Sequence, residues 1–268
     1  MPDSTSSGLD PIQVLWVRGD LSRMEQLSIR SFLAHGHPVH FYTYEAGRNL
    51  PAGVTVFDAA EIVPAALAPA APTAPFAKGS MGSFSDYFRY HLLAAKGGWW
   101  SDLDIVCLRP WRFSAPALTA STDEHGHGRI ANTCVMRFPV GHPVPLACRE
   151  IVRAFELRQV DINQTGPLLL HAQLTRLGQT ALMQPPSVFC PVPWNSSWHY
   201  VKSFWARCSW TEIKHRLRRP HLTPRFDETT VAAHLWHETW RHAGWDKNAR
   251  FPRTSRYERY QRRWNPGA

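Results

Sequence analysis

SDYFRYHLLAAKGGWWSDLDIVCLR, residues Ser85–Arg109, is the stretch from which the rest of the chain is read. Asp86, Arg89, Tyr90 and Leu93 fall at i, i+3, i+4 and i+7, so they share one face of a helix. Ser83 is the expected cap of that helix and Lys96 its last residue, before Gly97-Gly98. Trp99–Asp104 then leads into Ile105–Leu108 (IVCL), an apolar strand stopped by Pro110. If Trp100–Asp104 is extended, Trp100, Asp102 and Asp104 point to one side and Leu103 and Ile105 to the other.

Upstream, Gln13–Val17 (QVLWV) is a continuous apolar run of the kind covered on both faces in a parallel sheet. Ser22 and Glu25 have capping-box spacing and start a helix that should end near Gly36 and Pro38. Val39–Tyr44 and Val54–Phe57 read as strands. Strand, helix, strand at these lengths argues for a parallel α/β unit. Pro64–Pro75 is an Ala/Pro-rich connector, expected to be an extended loop.

Downstream, Ser121–Arg129 reads as a polar loop, Ile130–Phe138 as a strand, and Pro145–Arg158 and Leu168–Leu177 as helices. Residues 185–230 set tryptophans among prolines and polar residues, which suggests an irregular lobe. Val231–Trp236 is the expected last strand. The organisation anticipated is one domain over 11–245, with a disordered 1–10 before it and a basic aromatic tail, 246–268, after it.

The 268 residues, 44% hydrophobic and 19% charged, suffice for one large folded domain. No apolar run approaches the roughly 20 residues of a membrane-spanning helix. Residues 1–10 lack the basic-then-apolar order of a secretory signal. Five cysteines, never spaced C-x-x-C, fit free thiols in a reducing compartment better than a disulfide frame or zinc site, so the cytoplasm is the expected location. A formal charge of +9 favours anionic partners. No G-x-G-x-x-G follows the first strand and no G-x-x-x-x-G-K-[ST] occurs, which removes the dinucleotide and P-loop cradles. His237-Glu238 fails as H-E-x-x-H because position 241 is Arg241.

On their own, Asp86 and Arg89 read as a surface ion pair, and Asp102 and Asp104 as turn residues. Together they suggest more. Two carboxylates on one face repel unless a cation or solvent stands between them. Mn²⁺ or Mg²⁺ takes oxygen ligands, commonly one or two carboxylates with water and phosphate completing the shell. An Asp-x-Asp step just outside an apolar strand suits a metal–diphosphate site.

The assembled pattern S-D-x-x-R-Y-x-x-L-x-x-x-G-G-x-W-x-D-x-D over Ser85–Asp104 resembles the DXD-motif sugar transferases of GT-A fold. That group includes the yeast initiating mannosyltransferases, the α-1,4-linking transferases and, more distantly, the clostridial glucosylating toxins. Trp100 stands where the family usually has tyrosine, and Trp99 where it has Ile or Val. The resemblance implies an α/β, Rossmann-like fold whose mainly parallel central sheet is flanked by helices. It implies a nucleoside-diphosphate sugar donor, UDP-hexose first, a Mn²⁺ or Mg²⁺ cofactor, and retention of anomeric configuration. By the same likeness Trp16 stacks on the base, and Ser85, Asp86 and Arg89 hold sugar hydroxyls and diphosphate. Trp100, Asn132 and Trp236 lie beside the donor. Asp102 lies near ribose or metal, Asp104 ligates the metal, and His234 adds a third ligand. Thr165-Gly166-Pro167 resembles a family step at a helix start, structural first and donor-facing second.

Residues 185–230 are where an acceptor would bind, a glycan or lipid-linked oligosaccharide of cell-surface polysaccharide synthesis. Arg250, Arg253, Arg256 and Arg259 recur every third residue, with Phe251, Tyr257, Tyr260 and Trp264 between or beyond them. That segment suits an anionic inner-leaflet surface, or is a solvated tail. A toxin-like transferase acting on a protein shares the donor motifs. A nucleic-acid-binding module explains the charge but leaves Ser85–Asp104 unexplained, so no nucleic acid is expected.

Overall fold

Six strands form the central sheet in the order β3-β2-β1-β4-β7-β6. They are β1 (Ile12–Leu15), β2 (Val39–Thr43), β3 (Val54–Asp58), β4 (Gly98–Ser101), β6 (Leu118–Glu124) and β7 (Gly128–Phe138). The pairs β1–β2, β2–β3 and β1–β4 are parallel, while β7 runs antiparallel to both β4 and β6. Five strands therefore share one direction, and the expected α/β architecture with a mainly parallel sheet holds. The computed structural model describes residues 8–45, 47, 49–69, 79–124, 128–210, 214, 217–218 and 222–267.

Helix α1 (Arg23–Ala34) crosses from β1 to β2 and starts on the capping box of Ser22 and Glu25. Helix α2 (Met81–Lys96) starts one turn earlier than expected, because Ser80 rather than Ser83 accepts the first free amide. It stops at Gly97, whose φ of 63° and crowding against the Val140 backbone (2.6 Å from where a Cβ would sit) leave room only for glycine.

Trp99-Trp100 lies in β4, a strand the sequence reading missed between the glycines and Ile105. Strand alternation sends Trp99 into the core beneath α1 and Trp100 into the core beneath α2. The second core is completed by α3 (Pro143–Arg153), and by α5 (Pro167–Arg176), which follows the single turn α4 (Ile162–Thr165).

The polar loop expected at Ser121–Arg129 is instead the meeting of β6 and β7, paired from Glu124 and Gly128 inward, with 125–127 outside the described residues. The connector Pro64–Pro75 holds a short turn at Ala65–Leu67, and 70–75 fall outside the described residues, as do 1–7 of the expected disordered terminus. In 185–230, Pro186–Phe189, Trp194–His199 and Phe204–Arg207 are short helical turns, with no strand among the described residues.

The basic segment is not a separate tail. Helix Arg256–Trp264 docks on α1: Arg23 grips Glu258 through both guanidinium nitrogens (3.1 and 3.2 Å), Gln261 donates to the Arg23 carbonyl, and Tyr257 is fully buried. The domain therefore runs on past residue 245.

Ile105–Cys107 (β5) does not join the main sheet. It pairs antiparallel with β8 (Ala232–His234), forming a two-stranded sheet in which Ile105 faces His234. The chain leaves β4 and enters β5 through Asp102-Leu103-Asp104, which is a turn and not the expected extended step. The turn therefore bridges the two sheets.

Candidate metal centre

Asp102 lies at the start of this turn. Its backbone amide donates to the Cys134 carbonyl at 2.8 Å, and its Oδ1 accepts from the Trp100 indole at 3.0 Å and meets the Arg89 guanidinium at 3.0 Å. Asp104, at the far end, is held by the second sheet. Its carbonyl accepts from Leu235 N (2.9 Å), and its Oδ2 accepts from His237 N (2.8 Å) and lies 3.2 Å from His234 Nε2.

Asp86 and Arg89 are buried, not a surface pair. Asp86 accepts from Thr165 Oγ1 (3.0 Å) and Thr133 Oγ1 (3.3 Å), and its Oδ1 meets Arg89 at 3.3 Å. Arg89 donates to the Thr133 carbonyl, the Ser85 carbonyl and Ser85 Oγ (2.8, 3.1 and 2.8 Å). Its guanidinium N–H groups all have partners within the chain, Asp86 and Asp102 among them. Gly166 permits the close packing here, since a Cβ would come 3.0 Å from Asp86 Oδ2.

The Thr133 groups reach α2 because β7 carries extra residues. Thr119 faces Met136 and the next residue, Ala120, faces Asn132, which leaves 133–135 bulged toward the site. Asn132 Oδ1 accepts from Cys134 N (2.9 Å) and shapes this bulge.

Trp100 is buried in the core, where its ring lies 4.9 Å under Arg89, and acts on the site through its indole N–H. Trp236 too is buried: its indole donates to the Val192 carbonyl at 2.7 Å and its ring lies 3.7 Å from that of His234. Among the described residues it is the one non-glycine with positive φ (64°). This left-handed turn swings the chain out of β8 so that the His237 amide aims at Asp104. Trp16 is half-buried, with its indole N–H on the Gly19 carbonyl and Lys247 Nζ 5.1 Å from the ring centroid.

Three residues were not singled out in the sequence for these contacts. Thr133 depends on a bulge that no local pattern signals. Thr165 was visible in Thr-Gly-Pro, but its link to Asp86 was not. Lys247 pairs with Glu25 (2.6 Å), overlies Trp16 and lowers the pKa of His237 after burial does. The only clue to it is one lysine in a segment that otherwise uses arginine.

The electrostatics leave a place for a cation. Burial pushes the Asp102 carboxyl up to about 6, with Arg89 opposing and the Asp104 charge adding to the rise. Burial opposes the charge on Asp104 as well, but His234 and the His237 amide outweigh it and hold that carboxyl below its usual range. Asp104 Oδ1 is buried and without a hydrogen-bond partner. One ligand atom from each of Asp102, Asp104 and His234 lies within 4.8 Å of the others. Two carboxylates, one of them with an orphaned oxygen, and an imidazole form a donor set that fits a divalent cation.

No family model and no curated protein matches the chain. Among solved structures it is similar to the PaToxG glycosyltransferase, with a TM-score of 0.45 and 11% identity over 96% of this chain and 85% of that one. It is also similar to an active-site mutant of LgtC, with a TM-score of 0.43 and 13% identity over 84% and 86% of the two chains. At these scores the likeness adds nothing to what the centre's own geometry carries.

Proposed function

We propose that the chain is a metal-dependent, retaining glycosyltransferase that moves a hexose from a nucleoside-diphosphate sugar, UDP-hexose first, to a hydroxyl acceptor. The observation that carries this reading is the Asp102–Asp104–His234 cluster with its orphaned Asp104 oxygen, set on the turn that leaves a parallel strand. Asp102, Asp104 and His234 would hold Mn²⁺ or Mg²⁺, which as a Lewis acid offsets charge on a departing nucleoside diphosphate.

The chain's own groups do the rest. Arg89 and Trp100 fix Asp102, and the His237 amide fixes Asp104, so neither carboxylate reorganises when charge develops beside it. Trp16, half-buried with Lys247 beside its ring, offers an aromatic face to the base. The acceptor in this reading is a glycan or lipid-linked oligosaccharide, met in the cytoplasm at the inner membrane face. The exposed Arg253, Arg259, Arg262 and Arg263 suit an anionic surface there.

A thermal-shift panel of nucleoside-diphosphate sugars with and without Mn²⁺ tests this, because a ligand of the folded state raises the melting temperature according to its affinity. A rise for one donor, present only with the metal and accompanied by donor hydrolysis, is the expected result. No donor effect at any metal concentration would overturn it.

A further inference from the structure

His234 has two ring nitrogens, and only Nε2 faces the carboxylates. On the other side, Nδ1 lies 3.8 Å from Cys190 Sγ, and Cys190 Sγ lies 3.7 Å from Cys134 Sγ. The three side chains are all buried, and one ligand atom from each lies within 4.8 Å of the other two. Neither thiol takes part in the function proposed above.

We propose that Cys134, Cys190 and His234 Nδ1 form a second metal site, for a soft divalent cation such as Zn²⁺, directly behind the carboxylate centre. The spacing supports coordination over a disulfide. Two sulfurs each about 2.3 Å from one zinc at the tetrahedral angle lie about 3.8 Å apart, and a sulfur and an imidazole nitrogen about 3.6 Å apart. A disulfide would need the sulfurs at about 2.05 Å. The charge balance also suits a dry pocket: zinc displaces both thiol protons to solvent, and two thiolates neutralise its charge. Three protein ligands leave one position open, so the ion remains exchangeable.

The site is tied to the carboxylate centre through one ring and one strand. Cys134 also gives its carbonyl to the Asp102 amide. A neutral imidazole has a single lone pair. If Nδ1 gives it to zinc, Nε2 keeps its proton and donates to Asp104, with nothing left for a cation on that side. Zinc behind the ring therefore weakens Mn²⁺ binding in front of it. This last coupling, unlike the zinc site itself, rests on the Asp102–Asp104–His234 centre being the metal site of the transferase.

The test uses the full chain loaded with one equivalent of Zn²⁺ or Co²⁺. X-ray absorption of the zinc form should show two sulfur neighbours at about 2.3 Å. Cobalt should give a sulfur-to-metal charge-transfer band that survives in Asp104→Asn and Cys208→Ser, falls by about half or more in Cys190→Ser and is lost when Cys134→Ser is added. A shell of oxygen and nitrogen alone, or a band of undiminished intensity in a folded Cys190→Ser, would overturn the proposal. Should Cys190→Ser not fold, the wild-type absorption data decide by themselves. Zinc loading should also raise the Mn²⁺ dissociation constant about tenfold or more. If the sulfur site is present and the Mn²⁺ constant does not move, the coupling fails while the zinc site stands. If Mn²⁺ does not bind in the absence of zinc, the proposed function fails instead.

Discussion

His234 and Asp104, 130 positions apart in the chain, are brought to 3.2 Å because Ile105, the residue after Asp104, is the β-bridge partner of His234. The carboxylate–imidazole geometry thus belongs to a strand pairing, not to a flexible loop. Replacing Asp104 with Ala should leave that pairing in place. The variant is expected to fold, to lose any Mn²⁺-dependent thermal shift, and to hydrolyse donor at least about 100-fold more slowly. Turnover and donor binding equal to wild type would show that Asp104 holds no metal.

Asp86 and Arg89 act on Asp102 from a buried position, which separates their effect on stability from any on chemistry. Truncating Arg89 to Ala leaves Asp86 without its charged partner and should cost roughly 3–5 kcal/mol in denaturant unfolding. Arg89→Lys keeps the charge but not the planar fork that spans Ser85, Thr133 and Asp102, and should recover only part of that loss. A neutral outcome for Arg89→Ala would place the pair at the surface after all.

The left-handed turn at Trp236 can be tested by an inversion of the usual ranking. Alanine at this φ pays a penalty that glycine does not, about 1–2 kcal/mol. Both Trp236→Gly and Trp236→Ala lose the indole, but the glycine variant should be the more stable of the two. Equal or reversed stabilities would mean that the backbone strain is not present in solution.

His37 sets an acid limit on stability. Its Nε2 accepts from the Trp111 amide (2.9 Å) and its Nδ1 lies 2.9 Å from the Asp10 carbonyl, so only the neutral ring protonated on Nδ1 satisfies both. Burial lowers its pKa, with His35 and Arg112 in the same sense and Asp10 opposing through its carbonyl and its charge. A pKa lower in the folded state gives stability that is complete above the unfolded value of about 6.5 and lost as pH falls toward the folded value. Unfolding free energy should decline across that window in wild type and less steeply in His37→Gln. Parallel profiles would remove His37 from the account.

Tyr257 distinguishes a docked helix from a tail. Fully buried, with its hydroxyl on the Lys247 carbonyl (2.9 Å), it should cost about 3–5 kcal/mol when cut to Ala, whereas Arg262→Ala, on the exposed side of the same helix, should change stability by under about 0.5 kcal/mol.

Much of the frame was legible because its signals are local. The Ser22–Glu25 box, the Gly97-Gly98 stop and the apolar runs of β1 and β2 each report on a few neighbouring residues. What escaped depended on distant partners. Gly98–Ser101 carries two tryptophans directly after the glycine stop and resembles a helix exit until β1 and β7 pair on either side of it. Leu118–Glu124 is polar at its outer end, where Asp123 and Glu124 find their strand partners only in Arg129 and Gly128. The docking of Tyr257 was hidden by arginines, whose charge suggested solvent although every third or fourth residue faces α1. At the site, Asp102, Asp104 and His234 were found by pattern and resemblance. Their orientation was not, since a turn joining two sheets cannot be told from an extended step without knowing that β5 leaves the main sheet.

That departure has a further consequence. A ribbon of two three-residue strands is marginal by itself, yet it carries one of the three candidate ligands, while the turn from the main sheet carries the other two. Both strands are buried in the core, so a cation spanning them would act as a rivet between the main sheet and the small ribbon packed beside it. Amide exchange at Ala232–His234 would then report occupancy directly, slowing as the ion is added and quickening when a chelator withdraws it, with no sugar needed in the tube.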